Sequence, residues 1–324
     1  MSIEEVLKEN NKLINPDLYI PSEEAFKFIS FIRAAGIEDN NSPEAHYKIA
    51  DVLFSSDSKD WNVVIECLRG MGKSTLLEYV FIYVSALGYW PGFGPAPMMV
   101  FLGASQEGNT KAFFKNIGGK IFASDFLQSL FLLDAKNYRQ TDSEIELVNR
   151  DGVLTICAGR GMNVNWRGIR SRTGKRPVVL IADDVLTNDI MTSEAVRATI
   201  ESNWFNSALP ALDPIRHKVV YIGTPLNDED LMHKLKRSNE YRVVRFPLCP
   251  KFPCNKEDFE SVWPDRFSYE YVRKMYNQFK GAGKTQAFYQ EYMLQITDLA
   301  TLLVEEEDVR WYDLPNLVKK KSQY

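Results

Sequence analysis

Hydrophobic residues in the middle of the chain gather into short continuous runs, each closed by small or polar residues. Val63 to Glu66, Met98 to Leu102, Val153 to Cys157, Val178 to Ala182 and Val219 to Ile222 are such runs, rich in β-branched residues and too short for helices. Between them the pattern turns helical. Ser74 to Leu87 reads as an apolar helix stopped by Gly88, and a second helix is expected from about Gly108 to Ile121. Such alternation predicts a largely parallel sheet wrapped by helices, an α/β fold whose ligands sit at the carboxyl ends of the strands.

The flanks read differently. Residues 1–60 are polar and helix-rich, with Pro21-Ser22-Glu23-Glu24 opening a helix through Ile32, and are expected to form a flank or lid on a core at 61–250. After a last strand-like run, Tyr241 to Phe246, the Pro-rich stretch Pro247 to Pro264 reads as a domain edge. The remaining segment, 251–324, reads as a small helical linker or lid. It holds an amphipathic helix from Ser268 to Phe279, a helical stretch near Gln286 to Leu294, the acids of Glu305 to Asp308, and Lys319 to Lys321.

Composition narrows the class only a little. The 324 residues are 45% hydrophobic and 25% charged, an ordinary globular balance with room for one large α/β domain and an appendage. The longest nearly apolar run, Tyr79 to Trp90, is too short to cross a bilayer, and Met1-Ser2-Ile3-Glu4-Glu5 is no signal peptide, so a cytosolic protein with no membrane partner is expected. Cys67, Cys157, Cys249 and Cys254 lack the spacing of a zinc site and are expected to be reduced structural thiols. The net charge of −4 does not advertise a nucleic-acid binder, but a motor can hold DNA with a local basic patch.

The chemistry begins where the first apolar run meets Cys67-Leu68-Arg69-Gly70-Met71-Gly72-Lys73-Ser74. A Gly-rich turn between strand and helix, ending in Gly-Lys-Ser, is the context of a phosphate-binding P-loop. Its backbone N–H groups cradle phosphates, Lys reaches the outer ones, and the Ser hydroxyl holds Mg2+. Arg69, Gly70, Met71, Gly72, Lys73, Ser74 and Thr75 are therefore the expected nucleotide contacts. Cys67 stands where the usual first Gly would be, which makes the motif a variant. A second Gly-Lys-Thr, Gly283-Lys284-Thr285, follows a helical rather than a strand pattern and reads as a helix-ending loop.

Two further strand ends carry polar groups. Val178-Val179-Leu180-Ile181-Ala182-Asp183-Asp184 has the form of a Walker B strand, with Asp183 expected to hold Mg2+ beside Ser74 and Asp184 to act as general base. Val219-Val220-Tyr221-Ile222-Gly223-Thr224-Pro225 ends in a turn whose Thr224 is either a γ-phosphate sensor or a plain turn residue. Arg160, Arg167, Arg170, Arg172, Lys175 and Arg176 lie in one acid-free stretch. It suits DNA phosphate, an arginine supplied to a neighbour's ATP, or a solvated loop.

Taken in order, these pieces resemble the ATPase part of large terminase subunits, the DNA-packaging motors of tailed bacteriophages. The resemblance rests on Leu68 to Ser74, Trp166-Arg167-Gly168, Ile181 to Asp184, Tyr221 to Asn227, Ser261 to Ser268 and Phe288 to Tyr292, and covers about residues 60–295. It implies a P-loop NTPase of the additional-strand type that uses ATP and Mg2+ to drive double-stranded DNA into a procapsid. The family's partners would be the portal protein, the small terminase subunit and further copies of the chain in a pentameric ring, in the host-cell cytoplasm. In that family Arg69 would contact phosphates and Arg167 would act on a neighbour's nucleotide, with Arg170 and Arg172 as rivals. The family also carries a C-terminal nuclease, for which residues 293–324 leave no room. Base recognition points loosely to His46 and Tyr47. A helicase-like translocase or a non-catalytic nucleotide-binding scaffold are the competing readings.

Overall fold

The computed structural model describes residues 19–162, 169–186 and 194–296. Strands β1 (Asn62–Cys67), β4 (Met98–Gly103), β7 (Leu154–Gly161), β8 (Val179–Asp183), β9 (Lys218–Gly223) and β10 (Arg242–Phe246) coincide with the apolar runs, within one to four residues at their ends. A small hairpin, β2 (Tyr89–Trp90) and β3 (Gly94–Pro95), and two edge strands, β5 (Tyr138–Gln140) and β6 (Glu144–Val148), have no counterpart in those runs. Among the described residues the main sheet is eight-stranded, in the order β10-β1-β9-β8-β4-β7-β6-β5. It is parallel from β10 to β7, and β6 and β5 are added antiparallel. The mostly parallel α/β fold expected from the alternation is the fold observed.

This strand order brings the polar strand ends together. β9 lies between β1, which leads into the P-loop, and β8, which ends in the two acids. Register pairs Glu66 with Gly223 and Asp183 with Ile222, so the three strand tips end side by side.

Helices cover both faces. The first cluster of buried side chains joins one face of the sheet (Val63, Ile65, Val220, Ile222) to α1 (Glu23–Ala35), α2 (Glu44–Leu53), α3 (Lys73–Leu87) and α4 (Lys111–Ala123), with the short α5 (Asp125–Ser129) beside them. α3 is apolar nearly all round, as a helix enclosed by protein should be. On the other face Val64, Val219 and Tyr221 meet Ile200 of α6 (Glu194–Asn203), Trp204, and Leu231 and Leu235 of α7 (Leu231–Arg237).

The segment after β10 joins the first cluster. Leu248, Phe252, Trp263 and Phe267 are buried in it, together with Val272 of α8 (Tyr269–Gly281) and Phe288 of α9 (Thr285–Met293). The second Gly-Lys-Thr is the α8–α9 turn.

Candidate active site

At the carboxyl edge of the sheet the chain leaves β1 and turns through Leu68–Gly72 into α3. Gly70 and Gly72 hold φ of 86° and 76°, in the left-handed region that favours glycine, and this turns the loop around the helix N-terminus. Cys67 is still within the strand, paired with Phe246, and needs no positive φ. This explains why a residue with a side chain can replace the first glycine.

Lys73, the first residue of α3, is only 7% exposed. Its Nζ donates to Thr224 Oγ1 at 3.0 Å and lies 3.2 Å from Asp184 Oδ2. Thr224 Oγ1 in turn donates to Cys67 O at 2.9 Å, and the Thr224 N–H donates to Asp184 Oδ1 at 3.0 Å. Ser74 Oγ donates to Asp183 Oδ2 at 2.5 Å. Thr224 thus ties the P-loop strand to the acid-bearing turn. Asp184 adopts φ 41°, a left-handed conformation that Asp tolerates better than most residues.

Burial alone would push the Lys73 amine down, but Asp184, Cys67 and Asp183 outweigh it and hold the amine above its usual range, fully charged. Asp183 is shifted up, by burial first and then by the adjacent Asp184, against the pull of Ser74 and Lys73. Asp183 Oδ1 is buried with no hydrogen-bond partner among the described residues. An orphaned carboxylate oxygen beside a serine hydroxyl suits a hard, oxygen-seeking divalent cation such as Mg2+.

Arg69 is placed differently from the rest. Its N–H donates to Glu291 O at 2.8 Å, and its guanidinium, 71% exposed, lies 3.7 Å from Glu291 Oε2 at the end of α9. Gln290, beside Glu291, donates from Nε2 to Leu226 O at 3.2 Å, in the turn that follows Thr224. A Cβ at Gly70 would come 3.4 Å from the Phe267 ring, and one at Gly72 3.8 Å from His46. His46 Nε2 is 2.8 Å from Met71 O, and burial, against that hydrogen bond, pushes the imidazole down. The neutral ring donates to the loop carbonyl and braces the P-loop. Gly72 and Thr75 open onto a cleft walled by Ile32, His46, Tyr79 and Trp263. Tyr47 packs instead against the hydrophobic core.

Arg167 lies outside the described residues. Of its rivals, Arg172 is drawn away to Glu146 on β6, with Nε 2.8 Å from Oε2, while Arg170 is exposed beside a groove shared with Arg176. Arg176 donates to Pro210 O at 3.1 Å. The basic stretch is therefore partly consumed by the fold. Sequence reasoning missed the contributions of Trp263, Arg266, Gln290 and Glu291 to the loop's surroundings. The segments Ser261 to Ser268 and Phe288 to Tyr292 carried part of the family resemblance, but nothing in them placed these four residues at the loop.

No family profile matches the chain. In sequence it is similar to the large terminase subunit of Enterobacteria phage T3, 24% identical over 318 residues that take in 85% of this chain and 50% of that protein. The chain spans about half the length of the curated relative it matches. Among solved structures, the large terminase ATPase domain of Thermus phage P74-26 matches with a TM-score of 0.51 at 15% identity, covering 86% of this chain and 100% of that one. The large terminase of bacteriophage HK97 matches at 0.52 and 12% identity, covering 83% and 54%. The fold is that of a large-terminase ATPase domain. Within that terminase fold, β9 with Thr224 at its tip is the strand added between the P-loop strand and the acid-bearing strand.

Proposed function

We propose that this chain is the ATP-hydrolysing domain of a viral genome-packaging motor. The observation that carries the reading is the convergence of Lys73, Ser74, Asp183, Asp184 and Thr224 on adjacent strand tips beside a helix N-terminus. The terminase fold and the phage T3 relative support the packaging context.

When ATP arrives, its outer phosphates compete for Lys73, which exchanges Asp184 and Thr224 for phosphate oxygens. Asp184 Oδ2 is then released to accept a proton from the water that attacks the γ-phosphorus, giving ADP and inorganic phosphate. Mg2+, held by Ser74 and Asp183, would neutralise charge on the phosphate chain. Arg69 leaves Glu291 to meet phosphate, and Gly70, Met71, Gly72 and Thr75 supply backbone donors and the cleft edge. Thr224, joined to both Lys73 and Asp184, registers the loss of the γ-phosphate and passes it along β9.

Double-stranded DNA would meet the exposed cations Arg170 and Lys175, with the half-buried Arg176 beside them, through its phosphates. A ring of such chains on a portal, with Arg167 serving the neighbouring nucleotide, would couple hydrolysis to DNA entry into the procapsid in the host-cell cytoplasm. The small terminase subunit would be its other partner. Among the described residues no helix is long and apolar enough to cross a membrane.

Phosphate release is the test, measured with and without double-stranded DNA and procapsids, for the unmodified protein beside Asp184→Asn. Asn keeps the left-handed backbone and removes the base, so a loss of about a hundredfold or more is expected. Tight ATP binding without phosphate release in any mixture would favour a nucleotide-binding scaffold instead.

A further inference from the structure

The segment after β10 contributes more to the site than a cover. The cleft that begins at Gly72 and Thr75 has Arg266 on its rim. A Cβ at Gly70 would lie 3.9 Å from an Arg266 guanidinium nitrogen, so this cation sits over the P-loop itself. The guanidinium stacks on the Trp263 ring, 5.3 Å from its centroid, and lies 5.9 Å from that of Phe267. Stacking fixes its plane while leaving its N–H edge open. Among the described residues no carboxylate pairs with it.

The wall beneath is unfinished in the same way. Trp263 is 5% exposed and His46 6% exposed, yet Trp263 Nε1 and His46 Nδ1, both in this wall, have no hydrogen-bond partner among the described residues. Trp263 Nε1 is a buried donor left unpaired under an unpaired cation, and the pair suits a phosphate oxygen, while the bare His46 Nδ1 is an acceptor that suits a hydroxyl or amino group of the same ligand.

We propose that Arg266 is a nucleotide-binding residue, a second arginine contributed by the same chain that grips the inner phosphates of a nucleoside di- or triphosphate. This rests on the nucleotide-site reading above and adds a ligand contact from beyond the sheet. It shares the cleft that Gly72 and Thr75 line, away from Thr224 and Asp184, and this assigns it to the α/β-phosphate side. Loss of Arg266 therefore weakens ADP and ATP alike and raises KM while leaving kcat nearly untouched. Lys, which keeps the charge but not the flat two-pronged donor edge, restores part of the binding.

The experiment is an equilibrium titration of the whole chain with a fluorescent ADP analogue and Mg2+, for Arg266→Ala, Arg266→Lys and, as a control on the site, Lys73→Ala. Melting curves accompany each variant. The expected result is a loss of about tenfold or more for Arg266→Ala, a smaller loss for Arg266→Lys, and an unchanged melting temperature for both. If Arg266→Ala binds within about twofold of the unmodified protein while Lys73→Ala loses binding, the inference is overturned and the nucleotide site stands. If Lys73→Ala binds as well as the unmodified protein, the site reading itself falls and takes the inference with it.

Discussion

Two lysines are buried at opposite ends of this sheet, and their surroundings send them opposite ways. Lys73, at the carboxyl edge, is held above its usual range, because Asp184, Cys67 and Asp183 outweigh the burial that would push it down. Lys218, at the start of β9 at the amino edge, is 0% exposed, and burial pushes it down to about 8 against the weaker pull of Asp60. Its Nζ donates to the neutral carbonyl of Asp60 at 2.7 Å and lies 5.9 Å from the centre of the Trp90 ring. The Asp60 carboxylate is meanwhile paired with Arg242 at 2.5 Å. One lysine is surrounded by charge that a ligand can replace, the other by fixed groups that only seat it. Burial of a charged side chain therefore does not mark function by itself; the partners do.

The largest difference should appear in turnover. Lys73→Ala is expected to lower ATP hydrolysis by about a thousandfold, the scale of losing a pre-set charge at the reacting phosphate, whereas Lys218→Met should leave kcat within about twofold. Equal losses in a steady-state assay would erase the contrast. Thr224→Val keeps the shape of the strand tip but removes the hydroxyl shared by Lys73 and Cys67. A fall of about tenfold or more in kcat, with little change in ADP affinity, would place Thr224 on the Lys73 side of the comparison. His46→Leu removes the donor to Met71 O and should raise KM for ATP severalfold, while His46→Gln, if its amide reaches the same carbonyl, should recover most of it.

The last contrast is in stability, not turnover. Lys218 has a folded-state pKa near 8 and an unfolded one near 10.4, so between these values the unfolded chain holds the extra proton. Stability from this group must rise with pH across that window, by about 3 kcal/mol in all, and the penalty is fully present below pH 8. The difference between the denaturation curves of the unmodified protein and Lys218→Met should grow in that sense from pH 8 to 10. A flat difference would show that Lys218 is charged in the folded state at pH 10.

The inner parallel strands were legible because each is buried on both faces and so writes itself as an apolar run, as Val63 to Glu66 and Val178 to Ala182 do; β10, at the edge and largely exposed, is the exception. The P-loop and the two acids were legible because phosphate chemistry demands those residues at strand ends. β5 and β6 were not, since an edge hairpin such as Tyr138 to Val148 is half polar and carries Glu146, which the fold uses to bind Arg172. The turn at Thr224 could be read either as sensor or as plain turn, and only its hydrogen bonds to Lys73, Cys67 and Asp184 distinguish the two. Least legible was the segment after β10. Trp263, Phe267 and Glu291 are nearly 200 residues or more from Arg69 and Gly70 in sequence, and no local pattern announces a contact across that separation.

That long-range contact sets where the chain can be cut. A truncation near residue 250, at the Pro-rich edge that looks like a natural seam, would take the Phe267 ring from Gly70, Trp263 from Gly72 and the Glu291 carbonyl from the Arg69 N–H. It would also strand the last strand of the sheet, because Leu248 N–H donates to Tyr292 O at 2.9 Å and Arg245 reaches the Leu294 carbonyl. The smallest self-sufficient fragment therefore ends no earlier than Leu294, and the seam visible in the sequence is a fold line, not a place to cut.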